Sequence, residues 1–134
     1  MKKSYVIGET AKVSKTISES DVYLFAEITG DFNPIHIDKV AAESSVFGER
    51  IVHGILVTGL ISSVIGLIYP GPGTIYMQQD SRFLLPVKIG DTVTAKVTLS
   101  KIINEDKGIL ELLTEAFNQN HERVMEGKAV VKVP

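Results

Sequence analysis

The sequence predicts an α+β fold in which an antiparallel sheet wraps one long apolar helix. Three observations predict it. From Ile51 to Gln79 there is no Lys, Arg, Asp or Glu, and IVHGILVTGLISSVIGLIY (Ile51 to Tyr69) is apolar nearly all round, as a buried helix is. After PGPG (Pro70 to Gly73), which stops that helix, the apolar residues recur at the two-residue period of strands. The chain has 134 residues and 14.6 kDa, the size of one domain spanning 1–134. A folded monomer of this mass exposes about 6,900 Å² of the roughly 21,000 Å² of its unfolded chain, so a core forms without staples.

The first strand is expected over Glu9 to Ile17, where Ala11, Val13 and Lys15 alternate with Thr10, Lys12, Ser14 and Thr16. Ser18 with Asp21 makes a capping-box-like start for a helix over Glu19 to Thr29, with Val22, Phe25 and Ala26 inward and Gly30 as its stop. A second short helix is expected over Asp38 to Ser45. The long helix follows, from about His53 to Tyr69, and on it Ile55, Gly59, Ser62 and Gly66 form a stripe of mostly small residues open to close approach. As a helix the apolar stretch would span about 28 Å, near a bilayer's thickness, but its His, Thr and Ser and its unclustered flanks favour burial in protein. Strands are then expected over Thr74 to Leu85, Thr92 to Ile103, Ile109 to Phe117 and Arg123 to Val133. The turns at Gly90-Asp91, NEDKG (Asn104 to Gly108) and NQNHE (Asn118 to Glu122) separate the later ones.

Composition closes off several functions. The chain carries 14 Lys+Arg against 16 Asp+Glu, a net charge of −2, with a pI near 5.9, and has no basic run to bind nucleic acid. Without cysteine there is no disulfide, thiolate nucleophile or sulfur-ligated metal, and His36, His53 and His121 show no metal-ligand spacing, so no metal is expected. The opening MKKSYVIGETAKV is too polar for a leader, and a cytoplasmic protein with no membrane partner is expected.

Chemistry concentrates in TGDFNPIH, Thr29 to His36. Asn33-Pro34 disfavours helix, so Asp31 and His36 are expected on an irregular loop, five residues apart and able to converge on one water. Residue types alone leave a second reading open: an Asx turn at Asp31, ordinary Asn-Pro punctuation and a half-buried histidine.

FAEITGDFNPIH followed by Ala42 (Phe25 to Ala42) resembles the hydratase motif of the MaoC-like, (R)-specific enoyl-CoA hydratase family. IVHG (Ile51 to Gly54), Ser62 and FLLPVKIGDT (Phe83 to Thr92) extend the resemblance over most of the chain. It implies a hot-dog fold and a hydro-lyase that converts trans-2-enoyl-CoA into (R)-3-hydroxyacyl-CoA, with Asp31 and His36 as the catalytic dyad. Asn33 and Ser62 match the family pattern as positioning residues. No cofactor is implied beyond the coenzyme A of the substrate.

Hydration needs a base for water, a proton for the α-carbon and a donor for the thioester oxygen. A carboxylate is a weak base at neutral pH, so the reading requires partial burial of Asp31 or a water shared with His36. The first turn of the long helix has free amides, and Gly54 lets a thioester oxygen approach them, which makes the Gly54 amide the expected oxyanion donor. His53 is expected to be structural at the helix start, His121 a surface turn residue, and Tyr69, Tyr76 and Phe83 core or interface. A 3-hydroxyacyl-ACP dehydratase, an acyl-CoA thioesterase and a non-catalytic acyl-thioester-binding module are the alternatives. The apolar surplus, 44% of residues in a small chain, points to a homodimer or higher homo-oligomer.

Overall fold

A computed structural model of the chain describes residues 3–134. The reading of the N-terminus as leaderless rests partly on Met1 and Lys2, which lie outside the described residues. In chain order the elements are β1 (Thr10–Thr16), α1 (Glu19–Thr29), α2 (Pro34–Ile37), α3 (Lys39–Glu43), α4 (Gly54–Leu67), β2 (Ile75–Gln79), β3 (Arg82–Phe83), β4 (Thr92–Asn104), β5 (Ile109–Phe117) and β6 (Arg123–Lys132). The strands form one antiparallel sheet in the order β1-β4-β5-β6-β2, with β3 also beside β6. This is the expected hot-dog arrangement: α4 lies against the sheet, touching β4, β1 and β5.

The alternation that predicts the strands also builds the core. Val93, Ala95, Val97 and Leu99 of β4 and Leu110, Leu112 and Ala116 of β5 are all fully buried. They meet Val57, Ile61, Val64 and Ile65 of α4, whose four buried side chains together contribute about 6–12 kcal/mol of apolar burial. α1 begins on the expected capping box, with Asp21 N donating to Ser18 Oγ at 3.1 Å and Ser18 N donating to Asp21 Oδ2 at 2.9 Å. It ends at Gly30 in the left-handed conformation, φ 78°, which turns the chain toward Asp31.

The sheet covers α4 on only one side and leaves part of the apolar surplus outside: Ile55 and Leu67 are 61% and 74% exposed, and Gly59 and Ser62 also face outward. One sheet can cover only one face of a cylinder. Among the described residues no helix is long and apolar enough to cross a membrane. The expected loop through Asn33-Pro34 is instead the start of a helical turn: proline at the first helical position loses only an amide that would have no partner anyway. The helix expected over Asp38 to Ser45 is shorter, because Asp38 serves as its N-cap, its Oδ1 accepting from Val40 N and Ala41 N at 3.1 Å each.

The strand expected over Thr74 to Leu85 breaks at Asp80 into β2 and β3. There the Asp80 carbonyl passes so close to Gly127 that a Cβ on Gly127 would lie 1.9 Å from it. The missing side chain lets the chain run on past Gly127 along the same edge of β6, where Arg82 pairs with Glu126 and Phe83 with Met125, and deliver Phe83 to the start of α4. Because backbone on both sides blocks any escape, Gly127→Ala should cost more than about 3 kcal/mol, beyond ordinary overpacking. Urea or thermal unfolding checks this; a variant as stable as the parent would show that the close approach of Asp80 has slack.

Candidate active site

The site grows from the segment that joins a strand bridge to α4. Ile51 pairs with Lys88, and Val52 N donates to the Val87 carbonyl at 2.7 Å, so this segment is fixed to the sheet side before α4 starts. The turn α2 is tied to the same segment twice: Ile51 N donates to Ile35 O at 3.2 Å, and His36 Nδ1 bonds to Ile51 O at 2.7 Å. A carbonyl can only accept, so Nδ1 carries the hydrogen and the lone pair of His36 sits on Nε2.

His36 is buried at 8% exposure. Burial is the main cause that holds its pKa below the ordinary 6.5, with His53 acting in the same direction, while the Ile51 carbonyl and Asp31 oppose it. An imidazole with a free Nε2 lone pair near neutral pH is a competent proton acceptor.

Asp31 stands in the turn between Gly30 and α2. Its backbone amide donates to Thr29 Oγ1 at 3.2 Å, and its Oδ1 accepts from Asn33 N at 3.3 Å, so the Asx turn of the second reading is present. A cluster of titratable groups is present with it: Asp31, His36 and His53 bring a carboxylate oxygen and two ring nitrogens within 4.8 Å of one another. Asp31 is exposed within the chain. Within one chain this favours the branch in which a water is shared with His36. Asn33 shapes the turn, its Oδ1 accepting from Ile35 N at 3.2 Å to cap α2.

His53 joins this group, although only a structural part at the helix start is expected of it. It is 2% exposed, its Nε2 lies 3.0 Å from Asp31 O, and its ring stacks on His36 at 3.9 Å and 27°. Its place directly before Gly54 in IVHG was the available signal. Three ligand-type atoms this close could suggest a metal centre. Each ring, however, already commits one nitrogen to a backbone carbonyl, His36 Nδ1 to Ile51 O and His53 Nε2 to Asp31 O.

Gly54 is the first residue of α4, and its amide has no acceptor within the helix, whereas Leu56 N already donates to His53 O at 3.0 Å. His36, Gly54, Phe47, Val57, Phe83 and Val124 line an apolar cavity of about 430 Å³. Phe83, expected in core or interface, is half exposed and covers Gly54, where a Cβ would meet its ring at 2.8 Å. Ser62 is not brought to the dyad within one chain. It is exposed, two helical turns or about 12 Å along α4 from Gly54, on a groove shared with Gly59, Tyr76 and Met77. Tyr69 is buried in the core, and His121 is an exposed turn residue with φ 61°.

Comparison with known proteins adds to this geometry. Residues 4–119 match the family model described as MaoC like domain. An (R)-specific enoyl-CoA hydratase of Rhodospirillum rubrum is 46% identical over 127 residues, covering 95% of this chain and 87% of that protein. A 3-hydroxybutyryl-CoA dehydratase of Methylorubrum extorquens is 45% identical over 128 residues, covering 96% of this chain and 80% of that one. The solved structure of an (R)-hydratase from A. caviae superposes with a TM-score of 0.94 at 41% identity, over 98% of this chain and 99% of its own.

The depressed His36 pKa has a consequence for stability. Below pH 6.5 the unfolded chain takes a proton on this histidine that the folded chain resists, so the unfolded state binds more protons and stability falls as pH drops through that window. The melting temperature should therefore decline from about pH 7 to about pH 5, and the decline should be shallower in His36→Gln. Equal slopes in the two proteins would contradict the assignment.

Proposed function

This chain belongs to the MaoC-like domain family, and from that premise we propose that it is an (R)-specific enoyl-CoA hydratase, adding water across trans-2-enoyl-CoA to give (R)-3-hydroxyacyl-CoA and catalysing the reverse dehydration. The observation that carries the reading is the convergence of the Asp31 carboxylate and His36 beside an apolar cavity that Gly54 also lines.

In this reading one water is held between Asp31 and the Nε2 of His36. His36 takes a proton as the water oxygen bonds to C3 of the enoyl group, and the π electrons move toward the thioester oxygen. The free amide at Gly54 stabilises that oxygen, a contribution worth about 3–4 kcal/mol in comparable oxyanion holes. A proton is then returned to C2, restoring the thioester and the side chains. Water and substrate supply every atom, so the reaction needs no cofactor beyond the coenzyme A that carries the acyl group. The apolar lining suits an acyl chain and excludes competing water.

We assign the exposed face of α4 to a second copy of the chain. Ile55, Gly59 and Ser62 on α4 share a groove with Met77 of β2, which is the outermost strand of the sheet and has an unpaired edge. Small residues let two such helices approach closely, and two such edges can join. The homodimer would complete the cover that one sheet cannot give α4.

Purified protein should remove the enoyl absorbance of crotonyl-CoA without releasing free thiol, which separates hydration from thioester hydrolysis. Asp31→Asn and His36→Gln should each lower kcat by about 10³-fold or more while the melting temperature stays near that of the parent. A folded parent that leaves crotonyl-CoA unchanged would sink the reading, and faster turnover of an acyl-carrier-protein substrate would move it to the dehydratase form. Sedimentation should give a dimer for the parent and a monomer for Ser62→Arg; a parent that is active as a monomer would refute the pairing.

A further inference from the structure

His53 Nδ1 is the one buried side-chain polar atom among the described residues that meets no hydrogen-bond partner. Its position makes the choice of histidine odder still. At a helix N-cap the preferred residues are Ser, Thr, Asp and Asn, whose oxygens accept from first-turn amides; His53 is the N-cap of α4 and makes no such bond. Packing alone does not ask for histidine either. A phenylalanine would fill the same place against Phe25, whose ring lies 4.7 Å away, without burying an unpaired nitrogen.

What histidine adds is a donor on Nε2. Its partner, 3.0 Å away, is the backbone carbonyl of Asp31, which only accepts, so Nε2 carries the hydrogen. That bond matters because of how the Asp31 turn is otherwise held. Gly30 N donates to Ala26 O, Asp31 N to Thr29 Oγ1, Phe32 N to Gly30 O, and Asn33 N to Asp31 Oδ1. Every one of these stays within the turn and the helix before it. Among the described residues, the His53 bond is the only hydrogen bond that fastens the Asp31 turn to a distant part of the chain, 22 residues on. The other member of the pair is touched as well, because the face of the His53 ring lies on His36 at 3.9 Å and 27°.

We propose that His53 is a positioning residue of the hydration reaction. Its Nε2–H pins the peptide of Asp31, and its ring face fixes the plane of His36, so the carboxylate and the free nitrogen of His36 hold one water in the geometry that addition requires. This inference rests on the hydratase reading above. The segment from Ile51 to Gly54 then serves all three requirements from consecutive residues: the Ile51 carbonyl sets the His36 tautomer, the His53 ring sets both members of the pair, and the Gly54 amide faces the substrate oxygen.

Two substitutions separate positioning from packing. His53→Phe keeps a ring against His36 and Phe25 and deletes the donor, whereas His53→Gln returns an amide N–H at about the reach of Nε2. With crotonyl-CoA, His53→Phe should lose kcat on the order of 10²-fold, the size of effect expected when reacting groups drift by about an ångström. KM should stay within about threefold and the melting temperature at or above that of the parent, and His53→Gln should recover at least about tenfold of the lost kcat. Should the Phe variant fail to fold, His53→Leu takes its place in the same comparison. A deletion variant that turns over like the parent overturns the proposal, and so does an equal loss in the deletion and Gln variants.

Hydrogen exchange of the Asn33 amide, which Asp31 Oδ1 accepts, reads the pinning without turnover. It should quicken about tenfold in the deletion variant and slow again in His53→Gln, in line with local opening free energies; unchanged exchange overturns the proposal. If the parent does not hydrate crotonyl-CoA, the hydratase reading fails on its own, and the exchange rates still decide whether His53 pins the turn.

Discussion

The hydrogen bond from His36 Nδ1 to the Ile51 carbonyl is the constraint on which the site depends. Without it His36 is one residue on a single helical turn too short to hold its own shape. With it, α2 is locked to a segment that is itself bonded to Val87 and bridged to Lys88. The bond also settles the chemistry of the ring, since a hydrogen committed to a carbonyl leaves the other nitrogen with the lone pair. The protonation state thus comes from this contact, and the position from it together with the bond from Ile51 N to Ile35 O.

The surroundings of that contact run against ordinary core design. Two histidines stack inside an apolar region, and the unpaired Nδ1 of His53 costs about 1–3 kcal/mol. The sheet supplies the offset. Fully buried Val, Leu and Ala residues on β4 and β5, facing four buried side chains of α4, leave enough stability for a strained polar pair at one end of the helix. The same apolar surroundings lower the His36 pKa, because burial disfavours the imidazolium. Stability and reactivity are opposed at this point, and the core is large enough to carry both.

Size sets a second limit. A chain of 134 residues curls one sheet around one side of α4 and has no further layer for the other. Ile55, Leu67 and the outer edge of β2 remain uncovered, an apolar face continuous with the helix whose first turn lines the cavity. Association of two chains would therefore act on the site through α4 itself, and not through a remote contact.

The sequence by itself determined the elements whose signals are local. The capping box at Ser18 and Asp21, the stop at Gly30, the strand alternation from Thr92 onward and the turns around Asn104 and Asn118 are all written in neighbouring residues. The motif from Thr29 to His36 was legible as the place of the chemistry, and Gly54 as the start of the helix beside it. Tertiary structure decided what depends on distant partners. Asn33 and Pro34 start the helical turn locally, but so short a turn holds because Ile51, distant in the chain, bonds both Ile35 and His36. The break at Asp80 required Gly127 on another strand. His53 read as an ordinary helix-start residue until the fold set its ring on His36 and its Nε2 against Asp31. A contact made across 22 residues of chain leaves no period, cap or turn in the sequence to announce it.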